Sequence, residues 1–192
     1  MNKGNAHRWI GGALLAILAL ACSDDGPLAP DGASDAMLRF DQGAAPPKQV
    51  PIRGAESFAP VPGGPTILCS PSVAGLQVPQ TYFTSGFFTH LGRTSGVLAI
   101  DECELVTAAG PLVSHGHAIR TTSNGDQIFG SFQETIDLAT GADMGQASFT
   151  GGTGRFTGAT GSGTFVGMVD LASGEGGAFE FTGTISTVGS SD

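Results

Sequence analysis

His115 and His117 stand two residues apart in "VSHGHAI", so on a β-strand both imidazoles leave the same face. An H-x-H pair on a strand is a metal-ligand spacing, and His90 is available as a third ligand. No carboxylate or cysteine lies at a matching local spacing. The opposite face, Leu112, Ser114, Gly116 and Ala118, could equally be the buried one. The plainer reading is a pair of surface or hydrogen-bonded histidines, and neither a metal nor any other cofactor is expected.

Glu134 is the second chemically interesting residue. In "DQIFGSFQETIDL", alternation puts it on one face with Ile128, Gly130, Phe132, Ile136 and Leu138. A carboxyl among inward aromatics loses water, which raises its pKa and poises it for acid–base work. The blander reading places it near a rim, reaching solvent or pairing with Arg93, Arg120 or Arg155. No Ser/His/Asp pattern, phosphate loop or paired-carboxylate motif accompanies it. Asp101, Glu102 and Glu104 beside Cys103 read as a solvated acidic face.

The third candidate is "GTGRFTG", Gly152 to Gly158, which fits G-x-G-x-x-x-G, a variant of the dinucleotide fingerprint. That loop works only between a strand and a helix, within a βαβ unit that continues to an acidic residue about 20 positions on. Here "ATGSGTFVGMVDL" follows, rich in glycine and β-branched residues and a poor helix. Too little chain remains for a Rossmann domain. The motif is a turn: Gly151, Gly152 and Gly154 serve positive φ or close strand approach, Phe156 points inward, and Arg155 meets a carboxylate or carbonyl. No nucleotide is expected.

The elements that must position these residues are strands. Beyond Lys48 no i, i+3, i+4 pattern persists; short alternating runs recur between Gly-, Asn-, Asp- and Ser-rich turns. Strands are expected near 50–58, 81–90, 94–102, 112–121, 127–138, 143–150, 164–171 and 178–185. Asn124, Gly125 and Asp126 supply a tight turn. Eight hairpin-linked strands close most simply into an up-and-down antiparallel barrel, which removes exposed edges; a two-sheet β-sandwich is the alternative.

Three motifs, in order, are "FTHLGRTSG" (88–96), "SNGDQIFGSF" (123–132) and "GGTGRFTGATGSGTFVG" (151–167). Their combination resembles a bacterial group related to the allene oxide cyclase and dirigent barrels, over roughly residues 50–188. The resemblance implies an eight-stranded, calycin-shaped barrel. It says less about function, because one fold hosts unrelated activities. The plant relatives include a cofactor-independent fatty-acid cyclase and proteins that orient phenoxy radicals, and none of their catalytic residues maps onto this chain.

The N-terminal segment has its own logic. Lys3 and Arg8 precede an eleven-residue apolar run, Ile10 to Leu20, too short to span a bilayer, which takes about 20 residues. "LALAC" then resembles a bacterial lipoprotein signal, implying cleavage after Ala21 and lipidation of Cys22. Residues 1–21 are read as that signal, 22–48 as a polar, unfolded tether, and 49–192 as the barrel domain. The tether after Cys22 favours lipidation over a plain secretory signal, and Ser23 points to an outer membrane. More than one acyl chain makes such an anchor durable. Cys69 and Cys103 remain as an even pair in an oxidising compartment. They are read as a disulfide closing a loop of 34 residues, worth about 3–4 kcal/mol. Two free thiols are the alternative, with no C-x-x-C in support.

After cleavage, 6 basic residues face 17 acidic ones, which excludes an electrostatic footprint for nucleic acid. The expected partners are the membrane, through the anchor, and a small apolar molecule in the lumen. Phe132, Phe165, Phe179 and Phe181 would line that lumen, with Glu134 as its polar end. Gly130, Gly167 and Gly183 would each withhold a side chain from it. The function expected is a non-catalytic binding or envelope-surface module. The alternatives are a cofactor-independent isomerase or cyclase of a lipid-like substrate, and a structural protein with a filled core.

Overall fold

The computed structural model describes residues 47–72, 75–172 and 176–186. The leader, Cys22 and all but the last two residues of the tether lie outside them. One compact unit spans Ala44–Asp192.

Alternating sequence becomes strand throughout this unit: β1 (Gln49–Pro60), β2 (Thr66–Leu68), β3 (Gln77–Pro79), β4 (Thr81–Phe88), β5 (Gly92–Leu105), β6 (Leu112–Thr122), β7 (Gln127–Ile136), β8 (Ala142–Gly152), β9 (Gly161–Asp170) and β10 (Gly176–Ser186). Eight of them form a closed antiparallel barrel in the order β1-β10-β9-β8-β7-β6-β5-β4. Because β1 pairs with β10 on one side and β4 on the other, the sheet has no edge, and the sandwich alternative is excluded. From β4 to β10 each strand pairs with the next in the chain, β2 and β3 intervene between β1 and β4, and a short 3-10 turn, Gly154–Phe156, lies between β8 and β9.

The β2–β3 hairpin is an addition to the expected strands. Three residues per strand, with Pro79 ending β3, are too few for alternation to register. Its anchorage is covalent: Cys69, next to β2, is disulfide-bonded to Cys103 on β5, with Cα atoms 4.7 Å apart. Two backbone bonds flank the bridge, Ser70 N to Cys103 O at 2.9 Å and Leu105 N to Ser70 O at 2.6 Å.

Strand ends shift from the expected positions for local reasons. β4 stops at Phe88 because His90 takes a left-handed turn conformation, φ 67°. β5 runs on to Leu105 through a bulge between Ile100 and Glu102. β7 ends at Ile136, where the Asp137 carboxylate accepts from Ala139 N at 2.7 Å and starts a turn, so Leu138 belongs to the loop. Leu171 likewise lies past β9, in an exposed turn.

The inward face is built from phenylalanines laid over glycines. Phe132 on β7 stands opposite Gly116 on β6, Phe165 on β9 opposite Gly145 on β8, and Phe179 on β10 opposite Gly167 on β9. On the other wall Phe58 and Phe88 face Gly177 and Gly54. The fit is tight: a Cβ added to Gly116 would lie 2.6 Å from Cζ of Phe132, and one on Gly163 would lie 2.5 Å from Cζ of Phe181. This corrects the expected role of two glycines. A Cβ on Gly167 would meet Phe179, and one on Gly183 would meet Phe181, so their space is already filled. Only at Gly130 does no ring cover the gap.

The rings then contact one another along the wall. Tyr82, Phe58, Phe179 and Phe165 form one chain with centroid spacings of 5.7, 6.2 and 5.2 Å. Phe88, Phe181 and Phe149 form a second, at 6.2 and 5.8 Å. Gly116→Ala should therefore destabilise the barrel by about 1–3 kcal/mol or more, the usual cost of overpacking. The added methyl strikes both the Phe132 ring and the Ala99 carbonyl, and the carbonyl is part of the strand backbone. Urea melts of the two proteins check this, and an unchanged midpoint would mean the ring can step aside.

Candidate functional site

The barrel has a closed end and an open end. At the closed end Phe156, Ala159, Ile52, Ile128 and Ile185 are all buried. Arg155, from the glycine-rich turn, ties this end together. Its Nη2 donates to Leu91 O at 3.2 Å, its Nε lies 3.5 Å from Asp126 Oδ2, and its guanidinium covers the Phe156 ring at 4.7 Å. Asp126 is held in turn by Asn124 Nδ2 at 2.8 Å, within the turn whose Gly125 has φ 90°. Gly151 and Gly154 also take positive φ, and a Cβ on Gly152 would lie 2.7 Å from Phe156 Cβ. The GTGRF segment is thus a cap on the barrel.

Above that cap runs a cavity of about 260 Å³. It is lined from Phe88, Leu91 and Arg120 deep in the barrel to Leu76, Val78 and Leu138 at the mouth. Its volume sits just below the usual range for small-molecule sites, about 300–1,000 Å³. Phe132, Phe165, Phe179 and Phe181 all line it, as does Glu134.

Glu134 is only 9 % exposed. It has no arginine partner; Ser114 Oγ, directly across on β6, donates to its Oε1 at 2.5 Å. A second inward carboxyl, Asp143, starts β8 one diagonal step away, since Glu134 pairs with Gly145. Asp143 is 3 % exposed, and its Oδ1 is without a hydrogen-bond partner. Loss of water, then the nearby Asp143 charge, push Glu134 up from 4.5 to about 7, against a lowering by the Ser114 bond. Burial alone lifts Asp143 to about 6. Tyr82, also on the cavity wall, is pushed up to about 12 by burial and then by the Glu134 charge. A carboxyl that titrates near neutrality in an apolar lumen can donate a hydrogen bond, accept one, or move a proton.

The arginines considered for Glu134 lie elsewhere: Arg93 is exposed, Arg155 belongs to the closed end, and Arg120 is paired with Glu56. Arg120 crosses the lumen to Glu56 on β1, with Nη2 to Oε2 at 2.6 Å and Nε to Oε2 at 2.9 Å. Gly86 and Gly96 on the two intervening strands leave the room: added Cβ atoms would lie 3.0 Å from Glu56 Cβ and 3.0 Å from Arg120 Cα. The Glu56 side chain is fully buried and that of Arg120 is 12 % exposed.

His115 and His117 point outward, because Leu112, Ser114, Gly116 and Ala118 form the buried face of β6. His117 Nδ1 lies 3.0 Å from Asp101 Oδ2 across the outer surface, both half exposed. His90 sits in the β4–β5 turn, and among the described residues no three His, Cys, Asp or Glu side chains gather to hold a metal ion. Asp143, Ser114, Tyr82 and Glu56 were not singled out from the sequence. For Asp143 a signal existed: the inward set Ala147 and Phe149, counted back by twos, reaches it. Compared with protein-family models and with curated proteins, the chain finds no match.

The buried carboxyls make stability depend on pH. Both hold protons to higher pH in the fold than in the unfolded chain, so the native state binds more protons between their two pKa values. Their stabilising effect is full below the unfolded values and is lost as pH rises towards about 7. For Glu134 the loss is about 3 kcal/mol. Glu134→Gln should therefore be more stable than the wild type at pH 8 and about equal to it near pH 4. Urea melts at the two pH values measure this, and an identical slope in both proteins would mean that Glu134 is solvated.

Proposed function

We propose that the barrel is a binding module for a small apolar molecule, with Glu134 as the polar contact inside the lumen. The observation that carries this reading is the cavity itself: a narrow space walled by phenylalanine and aliphatic side chains, with a buried carboxyl facing into it. The motif resemblance to the allene oxide cyclase and dirigent group supports the same reading, since that group includes a cyclase of a fatty acid, an apolar molecule.

A second reading is a cofactor-independent isomerase or cyclase of a lipid-like substrate. What favours it is the titration of Glu134 near neutrality, beside Tyr82 and Asp143, which suits a proton transfer. Binding comes first in either case. Medium-chain alcohols and fatty acids should raise the melting temperature, by several degrees at a hundredfold excess over Kd, where the linkage is about 2.7 kcal/mol. Glu134→Gln should weaken that shift while the unliganded protein stays folded. No shift with any apolar compound would leave the barrel a structural element.

We also propose that the domain works at an outer membrane, held by a lipid on Cys22 and the polar segment that follows it. The sequence "LALAC" and the polar run after it support this. Cys22→Ala should leave the domain folded and move it from the detergent-extracted membrane fraction to a soluble or unprocessed one. Retention in washed membranes would count against lipidation.

A further inference from the structure

The cavity has polar groups at two levels. Arg120 lines the deep end. Its hydrogen bonds to Glu56 use Nε and Nη2 alone. Nη1, with two N–H groups, has no acceptor among the described residues. The guanidinium also lies against the Phe88 ring, 5.7 Å from centroid to Cζ, which fixes its plane. A planar fork held by a carboxylate and an aromatic face presents its remaining edge in a set direction.

Glu134 belongs to a higher level. Its partner Ser114 lies six residues before Arg120 on the same strand. At about 3.4 Å per residue and a strand tilt near 40°, the two levels are roughly 15 Å apart along the barrel axis. The wall between them is apolar: Phe132, Ala118, Phe165 and Phe181. A ligand with a single polar head would leave one of these levels without a partner, and desolvating an unpaired polar group is costly.

We propose that the lumen takes a linear, two-headed molecule: an apolar chain with a hydrogen-bond-accepting oxygen at its inner end, against Arg120, and a second polar group at its outer end, against Glu134. This rests on the reading of the lumen as a ligand site and narrows it to a chemical class. The ion pair with Glu56 leaves the deep site with no net charge, so a hydroxyl or carbonyl oxygen suits it. A second acidic head there would face Glu56.

Matched probes separate the two readings. Octanol and decanol are compared with octanediol, decanediol and dodecanediol by calorimetric titration of the folded domain. A plain apolar cavity prefers the monoalcohol, because the diol is better solvated in water. The two-headed site should instead bind the best diol at least fivefold more tightly than the alcohol of equal length. In Glu56→Leu/Arg120→Met, an apolar pair replaces the buried ion pair, an exchange that folds commonly tolerate. The diol preference should vanish there while monoalcohol binding persists. Should that variant fail to fold, Arg120→Lys keeps the charge pair but removes the planar fork, and the preference should again fall. A monoalcohol that binds as tightly as its diol to the wild type overturns the two-headed site alone. Binding of neither class overturns the lumen reading with it.

Discussion

Closing eight strands into a ring fixes the interior diameter, and every inward side chain must share that space. Eight strands leave room for side chains and little else. This barrel meets the limit by giving most of its large inward rings a strand neighbour with no side chain. Phe132 over Gly116, Phe165 over Gly145 and Phe88 over Gly54 repeat the device on different walls. The rings lie along the wall and contact each other edge to face or tilted. That is why a barrel this small, with so many inward phenylalanines, retains an open axis.

The same economy of space governs the charged residues. Gly86 and Gly96, on the two strands between them, leave the backbones that carry Glu56 and Arg120 free of added side chains. Two bonds to one carboxylate oxygen and a stacked ring satisfy a pair that burial would otherwise penalise severely. Glu134 and Asp143 are treated differently. They have one hydroxyl between them and no cation, so the fold keeps them partly protonated instead of neutralising them. A buried carboxyl without a cation is a liability to stability near neutral pH, and such liabilities concentrate where a surface has a task.

Much of this arrangement was legible in the alternation of residues. The faces of β7, β9 and β10 follow from counting by twos, and the Asn124-Gly125-Asp126 turn from its residue types. The disulfide was expected from Cys69 and Cys103, the even pair left once Cys22 is read as a lipid site. Other features were hidden for physical reasons. Periodicity assigns a side chain to a face but not to a partner, so Glu56 and Arg120, 64 residues apart, could not be matched. The glycines misled for a related reason: a missing side chain reads as a void until the ring of the adjacent strand is placed over it. The β2–β3 hairpin is held by a disulfide and two backbone bonds, and such contacts leave no periodic trace.

The seam between β1 and β10 joins Gln49 to Ser186 and Phe58 to Gly177, the two most distant parts of the described chain. Synthesis proceeds from β1 towards β10, so the first strand made waits for the last before its second edge is covered. Long-range pairing of this kind is slow to form, and an unpaired strand is a template for association with other chains. β1 carries features that blunt such an edge: Pro60 at its end lacks a backbone donor, and Arg53 adds an exposed charge. The residues that close the ring are thus suited to a period of solitude during biogenesis, a role that contributes nothing to the finished barrel.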